Sequence, residues 1–447
     1  MPANASQTKT VAVLGASYGG YHAAQYLAKN LPEGWRVVVV DRNSHVNHVY
    51  VLPRYGVLPG HEHKAFIPYT RIFQADNHIQ LHARATALSP HSVTLSAAFP
   101  ERGLADVVHF DYAIYALGSH LPAPIDLWGA PPSVKTAAPY AGDKGEGVAW
   151  LRLHQRAVEA AESVLVVGGG ALGIQYASDI AAVHPGKRVT LMHSRLQLLP
   201  RFDPAMHSEV LESLRELGVE VVLGERLDLA SARAENAAGQ RVVRTVAGRE
   251  IAADLLTVAR QLLCTGQQPN TELLEAMDSR TVVRGSGLAR VLRTLQLGVG
   301  SASAAETPLH PGPGESAEPT PYPHIFAIGD AADAFGAINA GHIAYRQVGS
   351  ACARALSPLT ASLQGELAAR NILRLVNRQE GVPSEDEELE RYEPSAPGIK
   401  VTVGLKKSVF QMHGVVGTKR DGLDDLDAGY MWGALGFPGV SDEDMRL

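Results

Sequence analysis

Val164 to Gln175 read VLVVGGGALGIQ, an apolar run that meets three consecutive glycines and then a helical pattern. Gly168, Gly170 and Gly173 take the spacing G-x-G-x-x-G. Between a strand and a helix, that spacing cradles the pyrophosphate of a dinucleotide. The first glycine permits the tight turn and the second lets the backbone approach the phosphates. The third lets the helix pack closely on the strand, with the phosphates at its N-terminus. The chain makes the same move 168 − 15 = 153 residues earlier, in VAVLGASYGGYHAAQYLAKN, at Gly15, Ser17 and Gly20. Ser17 stands where the second glycine is usual, and its hydroxyl can itself donate to phosphate. Asp41 follows 41 − 20 = 21 residues past the last glycine, at the end of WRVVVVD. A carboxylate there accepts hydrogen bonds from a ribose 2′-hydroxyl.

The second copy lacks that acid. Its next apolar run, RVTLM, ends in His193-Ser194-Arg195. A carboxylate at this place favours NADH and repels the extra phosphate of NADPH, whereas Ser194 and Arg195 offer a donor and a cation. A charge-assisted hydrogen bond of roughly 1.5–3 kcal/mol is about ten- to a hundredfold in affinity, so these residues predict a preference for NADPH. Two turns then have two occupants: a tightly bound FAD at the first, and a nicotinamide nucleotide that comes and goes at the second. FAIGDAAD sets Gly329 and Asp330 just past a late strand, where two-dinucleotide flavoproteins bring a carboxylate to the ribityl–phosphate region of FAD. AIYALGS, ending in Gly118 and Ser119, resembles the turn that joins the FAD and nucleotide domains of such proteins, with Leu117 where threonine is usual.

The elements that position these residues follow from periodicity. Thr10–Leu14 and the run to Asp41 read as buried parallel strands, with a helix over Tyr21–Lys29 between them. Residues 45–75 read as irregular, residues 80–112 as short strands, and LPAPIDLWGAPPSV as a linker. The second βαβ unit follows, then hairpin-like strands to about residue 252. Residues 298–323 read as a mobile polar loop, and SEDEELERYE as a solvated acidic stretch. The fold class is therefore α/β, with two Rossmann-like domains and a small α+β C-terminal domain. The expected boundaries are 1–140 and 267–380 for the FAD domain, 141–266 for the nucleotide domain and 385–447 for the C-terminal cap.

Composition excludes several classes. At 447 residues the chain is too long for one core, and 45% hydrophobic with 19% charged residues is globular composition. A net charge of −6 argues against a nucleic-acid partner. Two cysteines, Cys264 and Cys352, lie 352 − 264 = 88 residues apart, so no adjacent dithiol is available to relay electrons. His45, His48, His61 and His63 lack the cysteines or carboxylates of a metal site, and no metal is expected. The first ten residues resemble no targeting signal, and a cytoplasmic location is expected, or one peripheral to a membrane or lipid droplet. Tyr430, Met431, Trp432, Leu435 and Phe437, within 428–440, read either as a peripheral membrane contact or as core packing.

With these stretches in hand, the chain resembles the apoptosis-inducing-factor-like flavoproteins, specifically the ferroptosis-suppressor group and its fungal relatives. The resemblance runs through VLGASYGG, DRNSHVNHVYVLPR, AFIPYT, ALGSHLP, VVGGGALGIQYASDIA, CTGQQPNTELL, FAIGDAAD and GIKVTVGLKKSV. It implies a glutathione-reductase-like fold and an FAD enzyme that oxidises NADH or NADPH and reduces quinones. The FAD would be bound non-covalently or in a 6-hydroxylated form. By resemblance Gly15, Ser17, Gly19 and Gly20 hold the FAD pyrophosphate and Asp41 its ribose. Arg54 lies beside the flavin, Ala85 meets the adenine end through its backbone, and Asp330 meets the ribityl chain. The C-terminal strands cap the FAD site and support a homodimer. Two departures stand out: TVARQ, 257–261, interrupts an expected strand, and 348–364 interrupts an expected helix. Alternatives to quinone reduction are action on an aromatic intermediate of secondary metabolism, flavin-dependent hydroxylation, or signalling with little turnover.

Overall fold

The computed structural model describes residues 8–120, 126–128, 140–228, 231, 234–236, 240–258, 268–300, 320–337, 360–382, 388–394 and 398–447. Cys264, Cys352, residues 259–261, most of the 298–323 loop and residues 348–359 lie outside them.

The chain opens with β1 (Lys9–Leu14), α1 (Tyr18–Asn30) and β2 (Trp35–Asp41). The strands are valine-rich and buried along nearly their whole length, as a parallel strand covered on both faces must be. Helix α1 starts three residues before the predicted Tyr21, because the Tyr21 N–H already bonds the Ser17 carbonyl at 2.9 Å. The stretch expected to be irregular holds a short helix, α2 (Leu52–Tyr55), and a small hairpin of His45–Asn47 with Phe66–Pro68. Next come β3 (Ile79–His82) and an antiparallel trio, β4 (Ala85–Ser89), β5 (Ser92–Leu95) and β6 (Val107–His109). Strand β7 (Tyr112–Tyr115) returns beside β1.

A second parallel sheet then forms. Helix α3 (Lys144–Ala160) begins with a capping box between Asp143 and Glu146. It leads to β8 (Ser163–Val167), α4 (Ala171–Val183), β9 (Arg188–His193), α5 (Pro204–Glu216), β10 (Glu220–Leu223) and β11 (Leu255–Val258). The sheet order is β10-β9-β8-β11, all parallel.

The chain goes back to the first sheet through β12 (Gln296–Leu297) and β13 (Tyr322–Ala327), giving the order β12-β13-β7-β1-β2-β3. Helix α6 (Thr360–Gln379) packs on α1 and includes residues 360–364 of the stretch read as an interruption. The C-terminal part is an antiparallel sheet, β14 (Ile399–Val403), β15 (Lys407–Met412) and β16 (Val415–Lys419), followed by α7 (Ala428–Ala434). One core joins Val11, Val13 and Val39 to Ile325, Phe326, Ile372 and Trp432, so both ends of the chain build the first unit.

Candidate functional site

The first glycine turn sits at the carboxyl end of β1, and sterics fix its glycines. Gly15 has φ of +89°, and a Cβ on it would lie 2.4 Å from the Ala116 carbonyl oxygen. A Cβ on Gly20 would lie 1.9 Å from the Gly15 carbonyl oxygen, far inside contact. Ser17 is the exposed N-cap residue of α1, and its hydroxyl does not cap the helix. The backbone of Gly19 is covered by α6, since a Cβ on Gly365 would meet the Gly19 oxygen at 2.3 Å. Asp41 holds the turn: its carboxylate accepts the Ala16 N–H at 2.7 Å. Its other oxygen accepts the Asn43 N–H at 2.8 Å and the Asn43 side-chain amide at 3.0 Å. Burial pushes the Asp41 pKa up, against these hydrogen bonds and the charge of Arg42. Beside the turn, the Tyr18 hydroxyl and His48 Nδ1 are 2.9 Å apart.

The second turn repeats this design with one chemical change. Gly168 has φ of +131°, and a Cβ on Gly173 would lie 1.8 Å from the Gly168 carbonyl oxygen. Gly170 is the N-cap residue of α4. Gly15 N–H bonds the Val40 carbonyl and Gly168 N–H bonds the Met192 carbonyl, both at 2.8 Å. The next N–H, from Gly169, bonds His193 Nδ1 at 3.1 Å, where the first site uses Asp41. An accepting Nδ1 carries no proton, so His193 is the neutral Nε2–H tautomer. Burial, then the charge of Arg195, lowers its pKa and keeps it neutral. Ser194 is half-buried and Arg195 exposed, immediately past the strand. The glycines and Arg195 are legible in the sequence. The role of His193 is not read there, although its position at the strand end, matching Asp41, is the signal.

The other expected residues lie within the first unit. Gly118 O accepts the Asn270 N–H at 2.9 Å, and the Asn270 amide donates to Leu117 O at 2.8 Å. Asp330 lies in the turn Gly329–Ala331 and accepts from the Ser119 hydroxyl at 3.3 Å. Burial pushes its pKa up to about 7, against that hydrogen bond. Gly329 N–H donates to Gln364 at 2.7 Å, which ties this turn to α6. Ala85, half-buried, starts β4 opposite Leu95.

Arg54, expected beside the flavin, makes its contacts with the protein itself. Its side chain is fully enclosed, with Nε 2.8 Å from Asp179 of α4 and Nη2 donating to Gly404 O at 2.9 Å. It therefore ties α2, α4 and the end of β14 together. Burial pushes Asp179 up to about 6 against the pull of Arg54. In the 428–440 segment the apolar side chains take the core-packing reading. Met431, Trp432 and Leu435 are buried in the chain's own core, and Tyr430 is exposed. The indole of Trp432 donates to Lys64 O at 3.0 Å, and Leu435 O accepts from Tyr21 at 2.7 Å. Among the described residues no helix is long and apolar enough to cross a membrane, and no cluster of three or more ligating side chains suits a metal.

The Cβ-free cradles at Gly15–Gly20 and Gly168–Gly173, each at a helix N-terminus, fit dinucleotide pyrophosphates. Two such cradles, each on a sheet whose central strands run parallel, define a two-dinucleotide flavoprotein, and the pyridine nucleotide-disulphide oxidoreductase family model matches residues 9–289. The chain belongs to that family, within its apoptosis-inducing-factor-like and ferroptosis-suppressor-like group. It is 42% identical over 441 residues to Fe-regulated protein 8 of Mycosarcoma maydis, covering 97% of this chain and 96% of that one. It is 27% identical over 411 residues to ferroptosis suppressor protein 1 of Homo sapiens, covering 90% and 88%. Among solved structures, the NAD-dependent persulfide reductase from A. fulgidus superposes with TM-score 0.60 at 19% identity, over 90% of this chain and 63% of that one. The protein is thus an NAD(P)H-dependent oxidoreductase that uses FAD.

Proposed function

We propose that the enzyme takes reducing equivalents from NADPH in preference to NADH and delivers them through FAD to a quinone-type acceptor. The observation that carries the nucleotide choice is the neutral His193 at the place where Asp41 stands in the first site. It steadies the second turn without a negative charge of its own to repel a 2′-phosphate, and exposed Arg195 supplies a cation nearby. We assign FAD to the first sheet, within 1–140 and 267–380, and the nicotinamide nucleotide to 141–266. The expectation that the strands of 385–447 cap the FAD unit is corrected: Ile399, Val401, Val403 and Val409 pack on α4 and α5 of the second unit. The segment that follows them, through Met431, Trp432 and Leu435, joins the core of the first.

Bound FAD supplies the redox chemistry, accepting hydride from the nicotinamide and passing electrons on. The chain's own part is binding and orientation. Gly15 and Gly20 admit the pyrophosphate, Asp41 takes the ribose, and Asp330 accepts a hydroxyl of the ribityl chain. The quinone reading rests on the resemblance to the ferroptosis-suppressor group. The wide sequence separation of Cys264 and Cys352 supports it, because the chain has no closely spaced cysteine pair of the kind that relays electrons from a flavin.

An anaerobic visible spectrum tests this. NADPH bleaches the flavin bands faster than NADH, and a soluble benzoquinone restores them faster than dissolved oxygen. Equal bleaching by both nucleotides removes the NADPH preference, and recovery no faster with quinone than with oxygen removes the acceptor class.

A further inference from the structure

Beyond Asp41 the first site has an aromatic wall. The sheet order sets β3 outside β2, and Asp41 pairs with His82 across them, with the Ala83 N–H bonded to Asp41 O at 2.9 Å. A dinucleotide whose pyrophosphate rests on α1 and whose ribose reaches Asp41 must carry its adenine outward, over the carboxyl ends of β2 and β3. The two loops leaving those ends bring Arg42 and Arg84 to the same indole. The guanidinium carbon of Arg42 lies 4.5 Å from the Trp128 ring centroid and that of Arg84 lies 5.7 Å from it.

Trp128 belongs to the connection between the two units and is wired back to the ribose acid. Its Nε1–H donates to Asn43 Oδ1 at 3.2 Å, and the Tyr140 hydroxyl donates to the same oxygen at 3.3 Å. Asn43 in turn donates twice to Asp41. Tyr140 packs edge-on against Trp128 at 4.9 Å. Two like charges share one ring here, with Asp41 and Asp126 opposing the burial of Arg42. Of the four tryptophans, Trp35, Trp150 and Trp432 are buried and Trp128 is partly exposed.

We propose that Trp128, with Arg42 and Arg84, is the adenine-binding wall of the first site, the adenine of FAD stacking on this indole–guanidinium assembly. The inference rests on the FAD assignment. An adenine ring is a flat π-system without charge, and stacking on an aromatic ring or a guanidinium suits it. Trp128 thereby becomes part of the flavin site, and a wall reaching Asp41 through Asn43 couples adenine stacking to the ribose contact.

The test uses full-length protein freed of flavin, with ADP as probe because it carries the adenine and pyrophosphate without a flavin to absorb the emission. ADP is expected to quench selectively excited tryptophan emission and to protect it from acrylamide. Trp128→Phe loses both changes while calorimetry still finds ADP bound. Trp128→Ala, checked for an unchanged thermal melt, holds FAD roughly ten- to a hundredfold less tightly. If ADP binds by calorimetry but tryptophan emission and acrylamide access stay the same, the wall is elsewhere and the proposal fails. Wild-type FAD affinity in a well-folded Trp128→Ala variant also overturns it. If unmodified flavin-free protein binds neither ADP nor FAD, the FAD assignment itself falls, and that outcome is distinct from the other two.

Discussion

Replacing His193 by Asp gives the second site the chemistry of the first. A carboxylate at this position can still accept the Gly169 N–H, as Asp41 accepts the Ala16 N–H at 2.7 Å, so the turn keeps its support. The change adds a negative charge at the ribose edge. A 2′-phosphate charge about 5 Å away at an effective dielectric of about 20 meets a repulsion of roughly 3 kcal/mol, less where water screens it. NADH instead gains a hydroxyl–carboxylate hydrogen bond of about 1.5 kcal/mol. Together these shift the ratio of kcat/KM for NADPH over NADH toward NADH by about a hundredfold or more. His193→Asn is the control. Its amide oxygen is a neutral acceptor, and the ratio stays within about threefold of wild type. The assay is initial-rate kinetics with both nucleotides, paired with calorimetry of 2′-phospho-ADP-ribose binding. A His193→Asp variant that folds and reduces its flavin yet keeps the wild-type ratio refutes the assignment of His193 to the ribose edge.

Three further outcomes are expected. Gly173→Ala places a Cβ 1.8 Å from the Gly168 oxygen, so NADPH binding weakens by roughly ten- to a hundredfold while FAD is retained, read as intact flavin absorbance with slow bleaching. In flavin-free protein, Asp330 holds its proton more firmly folded (about 7) than its ordinary 3.8. The stability this gives is full below pH about 4 and is lost as pH rises through about 7, so urea melts fall by about 2–3 kcal/mol from pH 5 to pH 8. Asp330→Asn flattens that slope, and an unchanged slope would assign it to another group. Arg54→Met strands the buried Asp179 carboxylate and costs about 3–5 kcal/mol at pH 8. Part of the loss returns on acidification, because Asp179, already raised to about 6, then takes up a proton. Adding Asp179→Asn restores stability at pH 8, and failure to do so would mean the ion pair is not what Arg54 supplies.

What could be read from the sequence was what local sterics dictate. Gly15 and Gly168 hold a positive φ, and a Cβ on Gly20 or Gly173 would strike a carbonyl oxygen of its own turn. Each requirement lies within one strand–turn–helix. Asp41 was legible for the same reason. Arg54 was not, because its partner lies 179 − 54 = 125 residues away, on a helix of the other sheet. Trp128 sits in a stretch whose glycines and prolines read as linker, and its role depends on loops from two strands that only the sheet order brings together. The segment 428–440 leaves the membrane open in the sequence because a short apolar helix looks the same on a core as on a bilayer. The burial of Met431, Trp432 and Leu435, with the bond from Tyr21 to Leu435, 414 residues apart, favours the core reading.

On the proposed assignment, the same contrast accounts for two nearly identical turns that would hold cofactors of different residence. At the first, α6 lies on the backbone of Gly19 and Gln364 anchors the Gly329 turn. Asp41 is buried under its own hydrogen-bond network, and Trp128 closes the outer end. A dinucleotide enclosed that way leaves only if several of those contacts open together, which suits a group that stays bound. At the second turn the strand end runs into exposed Arg195 and Leu196, with His193 holding the glycines from below. A nucleotide there would meet an exposed strand end, with no counterpart of the α6 cover or of Trp128 over it among the described residues. It can therefore exchange on every turnover, as a co-substrate must.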